Sequence, residues 1–183
     1  MPVTIRRATP DDLDDLIGLR ECVAREGIWI GAELPLDREG DRARHLATIE
    51  AQGGTTDLML IAELYGVLVG SLSMHQRVGI ADLGMNIADG HRGQGIGSAL
   101  LAAAVEWARE VGAHKVQLEH WPWNHGARAL YERVGFVEEG YRRRQYRRKS
   151  GALWDSVLMG LVLDEDAPGH GERATEPPGT AGG

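Results

Sequence analysis

The sequence has 183 residues, is 43% hydrophobic, contains one cysteine, and carries a formal net charge of −7. This length predicts one domain with a substantial core, and a single cysteine excludes an internal disulfide, which fits a reducing cytoplasm. Five acidic residues follow Leu163, so the part of the chain before them is only mildly acidic, and we expect no binding of nucleic acid. The sequence contains no apolar run long enough to cross a membrane. We therefore expect a soluble cytoplasmic protein that does not bind membranes.

The first half of the chain predicts a strand, two helices and a β-hairpin. Residues 3–8 form the strand, and a helix follows from the N-cap Thr9 to Gly27, with Cys22 as a small core residue. An apolar loop, residues 28–35, covers either the core or a substrate, and a second helix spans residues 37–52. The β-rich runs 58–62 and 67–74 are joined by a short link and predict an antiparallel hairpin.

The second half predicts alternating strands and helices. A strand at 81–88 enters a glycine-rich loop, and a helix follows over 97–111 with an apolar face. A strand at 114–121 precedes a short helix that Asn124 caps and Gly135 ends. The chain returns to the sheet at 136–137 and finishes with a hairpin of residues 141–148 and 153–162.

The last hairpin contains six basic residues between Arg142 and Lys149. A solvated face that protects a sheet edge is the expected role, and binding of phosphate or RNA is the alternative. The remainder, residues 164–183, is polar and rich in Pro and Gly, so we expect a disordered tail after a domain of residues 1–163.

The glycine-rich loop, residues 92–97, is the feature most indicative of function. Its sequence is Arg-Gly-Gln-Gly-Ile-Gly, between a strand and a helix start. Glycine lets backbone N–H groups converge, and the first N–H groups of a helix are free, so the loop predicts a site for a phosphate or pyrophosphate. A dinucleotide-binding loop is the alternative: its third glycine is missing, but Glu119 stands at the expected acidic position. A turn without a ligand is the third reading.

Two motifs resemble the GCN5-related N-acetyltransferase (GNAT) family. Residues 92–97 match R/Q-x-x-G-x-G/A, and residues 124–136 match N-x-x-A-x-x-L-Y-x-x-x-G-F. The resemblance extends over residues 3–162, and is strongest to bacterial amino-acid N-acetyltransferases and ribosomal-protein alanine acetyltransferases. It implies an α/β fold with a mixed, mainly antiparallel central sheet of about seven strands, flanked by four helices and splayed between strands 4 and 5, with acetyl-CoA in the gap.

The resemblance also implies where acetyl-CoA binds. The backbone of Met85, Asn86 and Ile87 would bond the pantetheine and the thioester carbonyl. The opposite side of the gap would be lined by Asn124, Ala127 and Tyr131. The pyrophosphate would be held by the glycine loop and the start of its helix, which comprise Arg92, Gly93, Gln94, Gly95, Ile96, Gly97 and Ser98.

Acetyl transfer to an amine requires a base and an acid. The family resemblance points to Glu119 as the base and to Tyr131 as the acid that protonates the departing thiolate. A salt-bridged carboxylate and a core tyrosine are the alternative readings of these two residues. Other candidate bases are Glu33, His75, Asp82 and His120. We expect no metal, because the histidines lack ligand spacing, and no acyl-cysteine at Cys22, which has no evident activating partner.

The acceptor is the least determined feature. Trp29, Glu33, Trp121 and Trp123 predict an aromatic and acidic mouth that suits a small cationic or apolar amine. We therefore expect direct N-acetylation of a small-molecule amine or amino acid. Acetylation of a protein N-terminus is one alternative, and a non-catalytic sensor of acyl-CoA is another. The sequence leaves the oligomeric state open, with a homodimer among the options.

Overall fold

A computed structural model describes residues 3–164, which form a seven-stranded sheet with helices on both faces. The predicted tail, residues 164–183, lies outside the described residues apart from Asp164. A short 3₁₀ turn, Pro10–Asp12, precedes the first helix. The strands and helices are β1 (Thr4–Arg7), α1 (Leu13–Glu26), α2 (Arg38–Ala51), β2 (Asp57–Leu64), β3 (Val67–Arg77), β4 (Ile80–Ile87), α3 (Ile96–Glu110), β5 (Lys115–His120), α4 (His125–Val134), β6 (Val137–Arg147) and β7 (Leu153–Val162).

The strand order is β1-β2-β3-β4-β5-β7-β6. Among the described strands only β4 and β5 pair in parallel, from Ile80 opposite Lys115 to Leu83 opposite Leu118. Beyond that point β4 continues to Ile87, and the two strands separate. The predicted mixed, splayed sheet is therefore confirmed. The dinucleotide-binding alternative is wrong, because that fold requires a mostly parallel sheet.

The two faces of the sheet bury different helices. Strand β2 is apolar at every position from 58 to 62 because alternate side chains point to opposite faces and both faces are covered. Met59 and Ile61 pack with α1 and α2 in one core cluster. Leu58, Leu60 and Ala62 belong to the other cluster, which includes α3 and α4.

The predicted helix ends are confirmed by their local hydrogen bonds. Thr9 precedes the first helical turn, and its N–H donates to Asp12 Oδ2 at 2.7 Å. Asn124 Oδ1 accepts from the N–H of Ala127 at 3.2 Å at the start of α4. Gly135 follows α4 in the left-handed conformation, with φ of 106°. Asn124 and Gly135 each bond backbone groups that a helix end leaves unpaired, whereas at Thr9 it is the Asp12 side chain that accepts from the N–H of Thr9.

One predicted burial is wrong. Cys22 is exposed, whereas its neighbour Val23 is buried. The buried stripe of α1 runs through Leu16, Leu19 and Val23. Because adjacent helical residues differ by about 100° in direction, Cys22 falls beside this stripe and faces solvent.

A two-residue turn, Val78 and Gly79, joins β3 to β4. Both residues have positive φ, 52° and 79°, which is the geometry of a type I′ hairpin turn. Val78 is 96% exposed, so nothing packs against its side chain. A β-branched residue is disfavoured in the left-handed region, and this turn is therefore locally strained.

Replacing Val78 by asparagine should stabilise the protein. Asparagine tolerates positive φ, and Asn-Gly is a preferred type I′ pair. We expect a gain of about 1 kcal/mol and a rise in Tm of roughly 2–4 °C in thermal unfolding. The matched control is Val67→Asn, at an exposed valine within β3, which should be neutral or destabilising because asparagine is a poor strand former. Equal effects at both positions would contradict this account.

Candidate active site

The gap between β4 and β5 joins two clefts. The larger has a volume of about 710 Å³ and the smaller about 270 Å³. Both are lined by Met85 and Asn86 of β4, by Asn124, and by Tyr131 of α4. Backbone groups of β4 in the gap have no parallel strand beside them, so they can bind a ligand instead. We refer to the larger space as the loop cleft and to the smaller, after the role that we propose for it, as the acceptor pocket.

The glycine loop borders the loop cleft. Gly93 and Gly95 have φ of 73° and 84°, and Gly95 occupies the N-cap of α3 without a side-chain cap. A Cβ built at Gly95 meets no described atom within 4 Å, so this part of the loop faces open space. The free N–H groups at the start of α3 and the positive end of its dipole suit an anion.

Gly97 has a second, structural role. A Cβ at this position would lie 2.9 Å from Leu130 Cδ2 and 3.1 Å from Ile87 Cδ1. The absence of a side chain therefore lets the first turn of α3 pack closely against α4 and the end of β4. The sequence alone assigned this glycine only to ligand approach.

Arg92 ties the glycine loop to the end of α1. Its guanidinium pairs with both carboxylate oxygens of Glu26, and its Nε donates to the carbonyl of Ile87 at 3.0 Å. Trp29 donates to Glu26 at 2.6 Å, and the guanidinium lies 5.3 Å from the centre of a Trp29 ring. The hydrogen bonds from Arg92 lower the pKa of Glu26. The charge of Arg92 is thus already paired.

Most of the predicted acetyl-CoA residues line the loop cleft, and two do not. The Gln94 side chain is exposed and donates to the carbonyl of Gly90 at 2.7 Å, and the Ile96 side chain is 3% exposed within the core. These two contribute only backbone to the loop. The lining residues are Met85, Asn86, Ile87, Arg92, Gly93, Gly95, Gly97, Ser98, Asn124, Ala127 and Tyr131.

The acceptor pocket exists because the sheet is lined with small residues there. Ser71 and Ser73 of β3 and Gly84 of β4 lie side by side and contribute to its lining. Arg20 of α1 and His45 of α2 line the helix side. Sequence analysis missed both, although Arg20 gives a signal, since it lies along the apolar buried stripe of α1, where a charged residue is unusual. His45 gives no such signal, because the buried face of α2 also contains Asp41 and Thr48.

Glu119 lies in the acceptor pocket and is held by three side chains. It is paired with Arg142, and Ser156 Oγ donates to its Oε2 at 2.6 Å. The hydroxyl of Tyr146 lies 3.2 Å from the same oxygen. The carboxylate is therefore fixed in position at the end of β5, and its three partners come from β6 and β7.

His120, the next residue of β5, also lines the acceptor pocket. It is 7% exposed, and its Nδ1 is 2.8 Å from the carbonyl of Trp121. Because a carbonyl only accepts, Nδ1 carries the proton in the neutral ring. Nε2 is buried and has no hydrogen-bond partner within residues 3–164, so its lone pair is available. Burial lowers the pKa of His120, which favours this neutral form.

Tyr131 lies where the two clefts meet. Its side chain is 6% exposed, and its ring centre is 6.2 Å from that of His120. Burial raises the pKa of the Tyr131 hydroxyl to about 12, because the charged phenolate is disfavoured in an apolar environment. The hydroxyl therefore keeps its proton at neutral pH.

The other candidate bases lie elsewhere. His75 is bonded to Asp57 at 2.7 Å, and Asp82 accepts from Gln117 at 2.6 Å. Glu33 accepts from the N–H of Lys149 at 2.9 Å. None of the three candidates, Glu33, His75 and Asp82, belongs to the described lining of either cleft. The structure thus brings only Glu119 and His120 of the candidate bases to the gap.

Part of the basic run in the last hairpin is structural. Arg142 pairs with Glu119, as described above. Arg148 is 6% exposed, donates to the carbonyl of Gly31 at 3.0 Å, and lies 4.0 Å from the centre of a Trp154 ring. The expectation of a solvated face is therefore wrong for Arg148, because aromatic rings and loop carbonyls cover it.

Lys149 and Trp123 complete the attachment of the loop between α1 and α2. Lys149 Nζ donates to the carbonyls of Glu33, Leu34 and Pro35 at 3.0–3.1 Å. Trp123 Nε1 donates to the carbonyl of Ile28 at 3.1 Å. The loop places Trp29 and Ile30 at both clefts. Of the predicted aromatic and acidic mouth, Trp29 and Trp121 line the acceptor pocket, whereas Glu33 anchors the loop.

Within residues 3–164 no cluster of three or more His, Cys, Asp or Glu side chains is arranged to hold a metal ion. No helix in the same range is long and apolar enough to cross a membrane.

Comparison with known proteins places these features in a family. The model of the acetyltransferase (GNAT) family matches residues 27–136. A ribosomal-protein-alanine N-acetyltransferase structure from Brucella melitensis is 30% identical, with a TM-score of 0.78, over 87% of this chain and 99% of that one. A Salmonella typhimurium protein solved with its cofactor acetyl-CoA shares the fold at 23% identity and a TM-score of 0.78, over 93% and 99% of the two chains.

A curated relative matches over a shorter segment. Streptothricin acetyltransferase from Streptomyces lavendulae is 44% identical over 63 residues, which are 34% of this chain. The matched segment spans 32% of that relative's length. The similarity is thus strong locally but leaves most of the relative unmatched.

The burial of His120 predicts a pH effect on stability. Its pKa is lowered on folding, so the unfolded chain binds the proton more readily, and acid favours unfolding. In NMR titrations the ring of His120 should titrate below its usual 6.5. The His120→Gln variant should lose less stability than the wild type as the pH falls through that value. Identical losses in both proteins would contradict the assignment of this group.

Proposed function

The chain belongs to the acetyltransferase (GNAT) family, and on that basis we propose that it transfers the acetyl group of acetyl-CoA directly to the primary amine of a small molecule or amino acid. The observation that carries this proposal is the junction of the two clefts at Tyr131. A large cleft with an anion-binding loop and a pocket of about 270 Å³ meet in the gap between β4 and β5. A pocket of this size suits a compact acceptor.

The loop cleft fits acetyl-CoA. The open space over Gly95 leaves room for a pyrophosphate against the start of α3. The unpaired edge of β4 at Met85 to Ile87 offers N–H and carbonyl groups to the amide-containing pantetheine arm. When bound, acetyl-CoA supplies an activated thioester carbonyl. The residues proposed to hold it are those of the loop, the end of β4, Asn124 and Ala127.

Glu119 and His120 are the proposed proton acceptors. An amine attacks only when neutral, although a lysine-type amine has a pKa near 10.4 and an α-amine near 8. Glu119 is proposed as the primary base, directly or through water, since it lies at the end of β5 in the acceptor pocket. His120 supports this role with a neutral ring and a free Nε2. The proton leaves the amine nitrogen for one of these groups.

Tyr131 is proposed as the proton donor to the departing thiolate. It lines both clefts, and its pKa of about 12 keeps the hydroxyl protonated. Donation of the hydroxyl proton to the thiolate sulfur would complete the transfer, and the phenolate, which burial disfavours, would regain the proton that the base took from the amine.

Acetylation of a protein N-terminus is the second candidate. It is favoured by the 30% identity to the Brucella melitensis enzyme. A third reading, a sensor that binds acyl-CoA without turnover, predicts binding but no release of free thiol. A thiol-release assay over small amines, amino acids and ribosomal-type peptides separates the three. Faster turnover of peptides than of any small amine would overturn the proposed acceptor class.

Alanine at Gly95 should weaken acetyl-CoA binding. Its Cβ enters the space over the loop and displaces the pyrophosphate from the backbone N–H groups. Loss of one hydrogen bond to a charged group, about 1.5–3 kcal/mol, predicts an affinity roughly tenfold lower or worse in calorimetry. The control is Gly112→Ala, which imposes the same left-handed strain, at φ of 74°, outside both clefts. Equal affinity in Gly95→Ala and Gly112→Ala would remove the loop from the binding site.

Substitutions of the catalytic residues should separate their roles. Tyr131→Phe keeps the ring but removes the proton donor, so kcat should fall roughly 10²-fold or more with little change in acetyl-CoA affinity. Glu119→Gln should show a defect that shrinks as the pH rises, because solution then supplies neutral amine. The measurement is kcat/KM between about pH 6 and 10, with melting curves alongside.

Two results would contradict these roles. Full activity of Tyr131→Phe would show that solvent protonates the thiolate. A pH-independent defect of Glu119→Gln would show that Glu119 is structural. The same profile measured for His120→Gln then tests the second proton acceptor.

A further inference from the structure

One end of the acceptor pocket is not used by the chemistry proposed above. Arg20 from α1 and His45 from α2 line the pocket on its helix side, whereas Glu119 lines it on the sheet side. Neither helix residue belongs to the lining of the loop cleft. They therefore face the acceptor and not acetyl-CoA.

Both residues contain a buried nitrogen atom that makes no hydrogen bond in the described part of the chain. Arg20 Nε and His45 Nε2 are inaccessible to solvent and make no hydrogen bond within residues 3–164. Arg20 Nε lies 3.3 Å from Asp41 Oδ1, which is an ion-pair distance without the direction of a hydrogen bond. Buried polar atoms are nearly always satisfied, so an unpaired nitrogen in a pocket points to a ligand.

The helix side also has an excess of positive charge. Asp41 is 3% exposed and forms ion pairs with both Arg20 and Arg44. Two guanidinium groups thus share one carboxylate. The pKa of His45 is lowered first by burial and then by the charge of Arg20, which agrees with a positive local potential.

Among the residues that the structure describes, the sheet side of the pocket has no unpaired negative charge that would balance this positive charge. Glu119 is the acidic residue of the pocket, and its charge is paired with Arg142. Ser156 and Tyr146 bond the same carboxylate. The ion pairs around Asp41 and Glu119 together contain three arginines and two carboxylates, and a negative group on the acceptor would balance them.

We propose that the acceptor is an amino acid with a free carboxylate, which binds Arg20 and His45 while its amine reaches the gap beside Tyr131. This inference rests on the proposed acetyl transfer and narrows its substrate class. The planar guanidinium offers parallel donors that match a carboxylate. A neutral amide would accept hydrogen bonds but leave the positive charge unbalanced. The positive potential also disfavours an ammonium group and so helps the amine to lose its proton.

The test compares matched acceptors in the thiol-release assay. Each free amino acid of a panel of twenty is assayed beside its carboxamide, which keeps the side chain and the amine. For the best acceptor, kcat/KM of the wild type should be roughly tenfold or more higher with the acid than with its carboxamide, because a hydrogen bond to a charged group contributes about that much. Arg20→Gln should lower the rate with the acid and leave the rate with the amide nearly unchanged.

Two variants control for folding and for charge. Arg25→Gln removes an exposed arginine from the same helix, with 69% of its side chain accessible, and should keep the preference for the acid. Arg20→Lys keeps the positive charge but lacks the planar guanidinium, and it should keep part of the preference for the acid. The proposal would be overturned if Arg20→Gln lowered kcat/KM equally with the acid and the amide. It would also be overturned if the wild type favoured amides or peptides over free amino acids.

A binding measurement separates failure of this proposal from failure of the proposed activity. The ring signal of His45 is followed by NMR while N-acetylated amino acids, or their carboxamides, are added to the enzyme. The acid forms should perturb the signal and raise the pKa of His45, because a carboxylate stabilises the charged ring. If no amine is acetylated but the acids bind at His45, the activity is wrong and the site is right. If neither form perturbs His45, the carboxylate site is wrong.

Discussion

The early separation of β4 and β5 is the constraint on which the site depends. Their parallel pairing covers four residue pairs and stops at Leu83 and Leu118. Each strand keeps its outer neighbour beyond this point: β4 remains paired with β3, and β5 with β7 to His120. The gap therefore leaves only one side of each strand without backbone partners, and the sheet stays intact around an opening that exposes main-chain groups.

The two sides of this opening offer different groups to the ligands that we propose for them. The loop cleft presents backbone N–H groups at a helix start, supported by close packing at Gly97 and by the Arg92–Glu26 pair. The acceptor pocket presents charged and polar side chains from α1, α2, β5 and β7. Backbone groups are common to all sequences, whereas side chains differ. A cofactor site built from the former and an acceptor site built from the latter can vary independently.

How well each feature could be predicted from the sequence depends on how far apart along the chain the residues that cause it lie. Helix ends at Thr9, Asn124 and Gly135, and the glycine loop, depend on residues a few positions apart, so the sequence alone predicted them. The burial of Arg148 depends on Gly31, 117 residues away, and no local pattern carries that information. Arg20 is intermediate, because its place along the apolar stripe of α1 is visible in the sequence, but the pocket that it lines forms only when the sheet is assembled.

Apart from the side chains of Trp29 and Glu33, the loop between α1 and α2 is attached mainly through its own main chain. Carbonyl oxygens of Ile28, Gly31 and residues 33–35 accept the hydrogen bonds from Trp123, Arg148 and Lys149. Every amino acid has a carbonyl, so most side chains of the loop can be exchanged without detaching it. Ile30, which reaches both clefts, is thus open to mutation at small cost in folding, and new ligand preferences can evolve there on an unchanged scaffold.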